Sequence, residues 1–189
     1  MKTYFFAFLT IFHFSRGMAQ QYETQQFKLI KTIGDAEIRY YPPVMKIKTN
    51  RNNGFSALFG YISGKNATGK KIAMTTPVYM QENQGQQQME FVLPRELDQS
   101  STPAALSDKV EVYESKPGYF MAYTFGGYAL DWVAKRVIKK VEELAEIHKI
   151  KVEGEPIILV YNSPYKVINR KNEILFKIDY SSELVDQPN

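Results

Sequence analysis

Gly54-Phe55-Ser56-Ala57-Leu58-Phe59-Gly60-Tyr61-Ile62-Ser63-Gly64, leading on to Ile72-Ala73-Met74-Thr75-Thr76-Pro77-Val78-Tyr79-Met80, is the stretch whose periodicity decides the fold class. Phe55, Leu58, Phe59 and Ile62 fall at i, i+3, i+4 and i+7 behind the start signal Asn52-Asn53-Gly54, which predicts a short amphipathic helix ending at Gly64. The period then changes to two. Ile72, Met74, Val78 and Met80 share one parity, and a turn around residues 83–85 returns the chain into Met89, Phe91 and Leu93. Upstream, Glu37-Ile38-Arg39-Tyr40 and Val44-Met45-Lys46-Ile47-Lys48 are extended segments broken at Pro42-Pro43. Consecutive prolines cannot donate to a ladder, so this is a bent or edge strand. The order is β, α, β, β.

The same order starts again beyond a linker at Pro103 to Asp108. Val110 to Tyr113 and Tyr119 to Phe125 read as strands, and a long helix follows in which Val133, Ala134, Val137, Val141, Leu144 and Ala145 lie within about 60° of Leu130 on the helical wheel. Lys135, Arg136, Lys139, Glu142, Glu143 and Glu146 occupy its far side. Gly154 ends the crossing, and Ile157 to Tyr161 and Ile174 to Ile178 complete the second set. A shift of 84 residues places Met74 on Ile158 and Phe91 on Leu175, which predicts an internal duplication of two βαββ units. Gly126-Gly127 reads as a bend in a strand, without a phosphate-loop pattern.

The chain opens with Met-Lys, an apolar run from Tyr4 to Phe14, and small residues Gly17 and Ala19 at the positions a signal peptidase reads. An apolar core of about a dozen residues is short of the roughly 20 needed to span hydrocarbon, so residues 1–19 are expected to be cleaved on export to a periplasmic or extracellular space, leaving no stable membrane insertion. A polar, Gln-rich arm is expected over residues 20–34, the domain over 35–180, and a flexible polar tail over 181–189. Without Lys2 and Arg16, 22 basic residues face 20 acidic ones, a balance that carries no nucleic-acid footprint. Cysteine is absent, so stability rests on packing without disulfides. With 13 Tyr and 12 Phe, the interior or a pocket is broadly aromatic.

Catalytic options are few. His13 lies in the export segment, so the mature chain keeps His148 alone, and arrangements of Ser-His-Asp, Cys-His or zinc ligands need more than this. Glu82, Glu90 and Glu173 are carboxylates that a folded sheet can bring together. His148 falls on the apolar meridian in the last turn of the long helix, where a half-buried imidazole is stabilised by the helix C-terminus; a heme ligand is the sharper reading.

The stretch from Gly54 through Gly64-Lys65-Asn66, together with Lys71-Ile72-Ala73-Met74-Thr75-Thr76-Pro77-Val78, resembles the signature of the SOUL heme-binding proteins, and Phe125-Gly126-Gly127-Tyr128-Ala129, Tyr161-Asn162-Ser163-Pro164 and Arg170-Lys171-Asn172-Glu173-Ile174 follow in that family's order. The resemblance runs from about Glu37 to Ile178. It implies an α+β fold, a distorted β-barrel from two βαββ repeats with two flanking helices, related to ligand-binding domains of the gyrase-inhibitor type. It also implies non-covalent heme or tetrapyrrole binding in an apolar groove near the first helix and the loop before the last strand. Carried onto this chain, the groove involves Phe55, Leu58, Phe59 and Ile62 with Met74 near its floor, and Lys65, Lys70, Lys71, Lys166 and Arg170 flank it as cations for propionates, Arg170 foremost. No histidine lies in those segments, and the family includes binders that hold the porphyrin by apolar contact alone. The resulting expectation is an exported binder or carrier, not an enzyme. Two other readings stand beside it: an enzyme acting on a small apolar ligand with Glu173 as acid/base, and a protein-interaction module whose groove receives a peptide.

Overall fold

Alternation of apolar and polar residues builds eleven strands, and two helical stripes build the helices that cover them. The computed structural model describes residues 22–50, 54–83 and 85–180; residues 1–19, expected to be cleaved on export, the expected tail 181–189 and the helix-start pair Asn52-Asn53 lie outside the described residues. The elements are β1 (Glu23–Thr24), β2 (Lys28–Ile33), β3 (Ala36–Tyr41), β4 (Met45–Thr49), α1 (Phe55–Ile62), β5 (Thr75–Thr76), β6 (Val78–Asn83), β7 (Gln86–Val92), β8 (Glu111–Glu114), β9 (Gly118–Gly126), α2 (Asp131–Ile147), β10 (Val152–Val160) and β11 (Lys171–Ile178).

Nine strands form one sheet in the order β2-β3-β9-β11-β10-β6-β7-β4-β8, while β1 and β5 form a short parallel pair. From β3 to β8 the order is palindromic about the β10–β6 junction: β4, β6 and β7 mirror β9, β10 and β11, as the two-unit reading requires. The expected barrel is not closed. The sheet ends at β2 and β8, and these edges carry Lys28 and Lys31 on one and Glu111 and Glu114 on the other, charges that oppose further strand pairing.

Ladder partners place Ile47, Phe91 and Val78 on the same side as Met80, Ile158, Ile174 and Tyr123. Both helices lie on that side. Leu58, Tyr61 and Ile62 of α1 pack with Met45, Ile47, Phe91 and Leu93, and Val141 and Ala145 of α2 pack with Ala36, Ile38, Met121, Ile174 and Phe176. The second side gathers Tyr41, Tyr79, Val92, Ala122, Leu159 and Leu175. Phe91 and Leu175, aligned by the shift of 84, therefore face opposite ways; the residue of β11 that matches Phe91 is Ile174. The better alignment sets Glu90-Phe91-Val92 on Glu173-Ile174-Leu175, one residue earlier, and a one-residue slip inverts every side chain of a strand. Gly154 does not precede β10 but sits inside it at φ +68°, beside an irregularity in the β10–β11 register.

Residues 22–33, expected as part of a loose arm, are tied to the sheet: 28–33 form its edge strand β2, with Ile30 and Ile33 on the helix side, and Gln25 and Phe27 lie against the second side. Gln25 is buried and its Oε1 accepts the Tyr79 hydroxyl at 2.5 Å, while Phe27 packs on Tyr41 and lies 4.1 Å beneath the Arg39 guanidinium. The linker is anchored too, because the Tyr61 hydroxyl donates to the Pro103 carbonyl. Gln25→Ala leaves the buried Tyr79 hydroxyl without its acceptor and is expected to cost about 1–3 kcal/mol, read as a lower urea midpoint at unchanged slope; Tyr79→Phe in that background should recover part of the loss.

Candidate functional site

A helix only eight residues long with apolar side chains around more than half of its circumference cannot bury all of them, and α1 divides them. Leu58 and Ile62 are sealed in the core. Their expected role as groove contacts is corrected, since neither presents surface to a ligand. Phe55 and Phe59 point outward, 48% and 49% exposed, with their rings stacked 5.8 Å apart at 12° and Phe55 edge-on to Phe91. They make a flat apolar platform on the outside of the helix. Met74 is half-buried against the α1 core cluster.

The turn after α1 brings a cation back to the helix at Gly60. Asn66 is buried and works as a knot: its Nδ2 donates to the carbonyls of Tyr61 and Lys70, and its Oδ1 accepts the backbone N–H groups of Thr68 and Lys70. Lys65 is thereby held so that its aliphatic stem passes Gly60, where an added Cβ would stand 3.4 Å from Lys65 Cδ. Lys65, Lys70 and Lys71 are all exposed. Sequence reading carried Asn66 only as the end of the signature stretch and gave it no role, although an Asn between two glycine turns is a recognisable turn signal.

A groove of about 440 Å³ lies between the helices and ends at Gly54, the residue before Phe55. Ala134 and Ile138 of α2 form one wall, and Met80, Met89 and Ile158 form the floor. Met80 and Met89 are ladder partners across β6 and β7, so two thioethers sit side by side. The rim carries Lys135 with Glu82, Asp131, Glu142 and Glu155. This groove draws on four strands and helices, and no single segment announces it.

Arg170 is buried, its Nη1 donates to the carbonyls of Ser163 and Lys166 at 2.8 and 2.6 Å, its guanidinium stacks 4.2 Å over Tyr128, and its Nε is buried without a hydrogen-bond partner. It clamps the loop before β11. Lys166 stays exposed on that loop. His148 caps the C-terminus of α2 and is exposed rather than half-buried. Among the described residues, no three His, Cys, Asp or Glu side chains are placed to hold a metal ion.

Glu173 is fully buried on the second side of the sheet, with both oxygens engaged. Arg39 donates to Oε2 and Oε1 at 2.9 and 3.0 Å, Tyr161 to Oε2 at 2.6 Å, Thr124 to Oε1 at 3.1 Å, and Lys171 lies 3.0 Å from Oε1. Burial pushes this carboxyl up, but the hydrogen bonds from Arg39 and Tyr161 and the Arg39 charge outweigh it and leave it at about 2. A carboxylate so held has no proton to give and no free lone pair to take one, which removes the acid/base role. Glu90 is placed likewise, 3.0 Å from the buried Lys46 ammonium, and Glu82 stands apart on the groove rim. Because the folded carboxyl of Glu173 titrates below its ordinary 4.5, its contribution to stability is complete above that value and is lost as pH falls toward about 2. Urea unfolding between pH 6 and pH 2 should show this loss, and Glu173→Gln should flatten it while lowering stability at pH 7, since Arg39 would keep Glu37 as its carboxylate partner but lose the buried one.

Comparison with known proteins accords with this architecture. The chain is 29% identical to human heme-binding protein 2 over 161 residues, 75% of this chain and 77% of that protein. Among solved structures it is similar to two hydrolases from Listeria innocua, at TM-scores of 0.54 and 0.59 with 8% and 9% identity over 77% of this chain and 92% of each of those. It is also similar to the C-terminal domain of EcmrR, at 0.51 and 9% over 77% of this chain and 98% of that one. At such identities these structures show a shared fold alone. The sequence profile of the SOUL heme-binding proteins matches residues 22–177, from the residue before β1 to the penultimate residue of β11, and the chain belongs to that family.

Proposed function

We propose that this protein is an exported, non-enzymatic binder or carrier of heme or a similar tetrapyrrole, held without a covalent bond against Phe55 and Phe59. The observation that carries the reading is the stacked, half-exposed phenyl pair on α1. Apolar surface of that kind is costly to leave in water, and a flat ring system is the shape that covers it. Family membership supports the ligand class. Lys65, packed along Gly60 on the same helix, is a cation that suits a propionate, and the Met80 and Met89 thioethers in the groove that ends at Gly54 are soft donors within the range of heme iron ligands. The acidic rim of that groove opposes a carboxylate, so the propionates belong outside it.

Hemin titration of the purified protein, followed through the Soret band, tests this. Phe59→Ala should weaken affinity by about 1–3 kcal/mol, roughly fivefold to a hundredfold or more, while His148→Ala should change it less than about threefold. A saturable hemin spectrum unaltered by Phe59→Ala would move the seat elsewhere, and no saturable change at micromolar hemin would remove the reading.

Export rests on the run Tyr4 to Phe14 and the small residues Gly17 and Ala19. Secretion of the full-length chain followed by N-terminal sequencing should return Gln20 as the first residue.

A further inference from the structure

Two loops at one end of the sheet carry apolar side chains that neither the core nor the α1 platform uses. In the loop between β10 and β11, Tyr165, Val167 and Ile168 are 91%, 72% and 74% exposed. In the connection from β9 to α2, Tyr128 and Leu130 are 42% and 51% exposed, and Trp132 in the first turn of α2 is 62% exposed. The Arg170 clamp joins the two, gripping the carbonyls of Ser163 and Lys166 while stacking on Tyr128, and Asn172 Nδ2 donates to the Gly127 carbonyl alongside. Ser163 closes the tip, its carbonyl accepting Lys166 N–H and its hydroxyl accepting Tyr165 N–H. The apolar side chains are thus displayed by a hydrogen-bonded scaffold. An exposed cluster of this size on a soluble domain marks an interaction surface.

Charge selects the partner. Residues 126–130 and 161–172 contain no Asp or Glu, whereas Lys166 and Lys171 are exposed within them and Arg136 lies 5.0 Å over the Trp132 ring, against Asp131 at the start of α2. Tyrosine and tryptophan with aliphatic side chains, set among cations, are the chemistry that settles into the headgroup region of a bilayer, the rings at the boundary and the cations toward anionic lipid. We propose that this end of the molecule is a peripheral docking surface for an anionic phospholipid membrane, with Tyr165, Val167 and Ile168 entering the interface and Lys166 contacting headgroups. The surface is separate from the Phe55–Phe59 platform, and the inference does not depend on tetrapyrrole binding.

Trp132, the one tryptophan of the chain, reports locally on this surface. Purified protein is mixed at low salt with vesicles of phosphatidylcholine alone or of phosphatidylcholine with phosphatidylglycerol, and both co-sedimentation and Trp132 emission are read. The expected result is binding with a blue shift on the anionic vesicles only, weakened about tenfold or more by Tyr165→Ser with Ile168→Ser and also by Lys166→Glu. Circular dichroism of the variants, unchanged because these side chains touch no core, separates lost docking from lost folding. Three results would overturn the proposal: no blue shift on anionic vesicles, an equal shift in the double variant, or a dimer without vesicle affinity that the double variant converts to monomer, which would assign the surface to a second copy of the chain.

Discussion

Because both helices lie on one side of the sheet, the other side has to be closed by what the strands and the N-terminal segment can bring to it. It is closed by aromatic packing around two buried carboxylates, Glu90 and Glu173, each paired with a cation, Lys46 and Arg39. Buried ion pairs of this sort are weak sources of net stability, but a strand that slips by one residue would drive its carboxylate into the apolar helix side with no partner. The pairs therefore set register in both halves of the sheet. Gln25 and Phe27 complete the closure, which is why a polar, Gln-rich segment that looks dispensable by composition is tied down.

With the sheet so fixed, the site follows from what each helix can reach. α2 is long enough to cover its half with one stripe, whereas α1 is short and covers its half with only Leu58, Tyr61 and Ile62. Phe55 and Phe59 are left to shield each other, and the space between the helices becomes the groove over Met80, Met89 and Ile158. The Asn66 knot holds the following turn close, so the Lys65 stem lies back along α1 at Gly60 without a long loop.

Period and turn chemistry made the element order readable: α1, α2 and most strands stand where alternation and the i, i+3, i+4 spacing put them. The duplication was readable as an order and not as a register, since matching apolar residues such as Phe91 and Leu175 ignores which side each faces, while matching Glu90 with Glu173 keeps it. A four-residue stripe does not reveal that Leu58 and Ile62 turn inward and Phe55 and Phe59 outward, because burial is decided by neighbours from β4 and β7. Arg170 shows the same gap. A guanidinium looks free in a sequence, and only folding shows that two carbonyls seven and four residues away already engage its Nη1. The open sheet was out of reach as well, for the charges that blunt β2 and β8 act only once those strands are edges.

The exchange of first strands between the halves carries one more consequence. β3 of the first unit pairs with β9 of the second, and β8 of the second pairs with β4 of the first, so each unit lends its leading strand to the other. Alone, the second unit would leave β8 without a ladder and an edge of β9 uncovered, while the first would keep β3 paired with β2 but leave an edge of β4 uncovered. Two separate copies would satisfy both by trading arms around a two-fold axis. The present chain is in effect such a swapped pair fused end to end, with the Pro103–Asp108 linker as the tether, and its halves are entangled rather than merely adjacent.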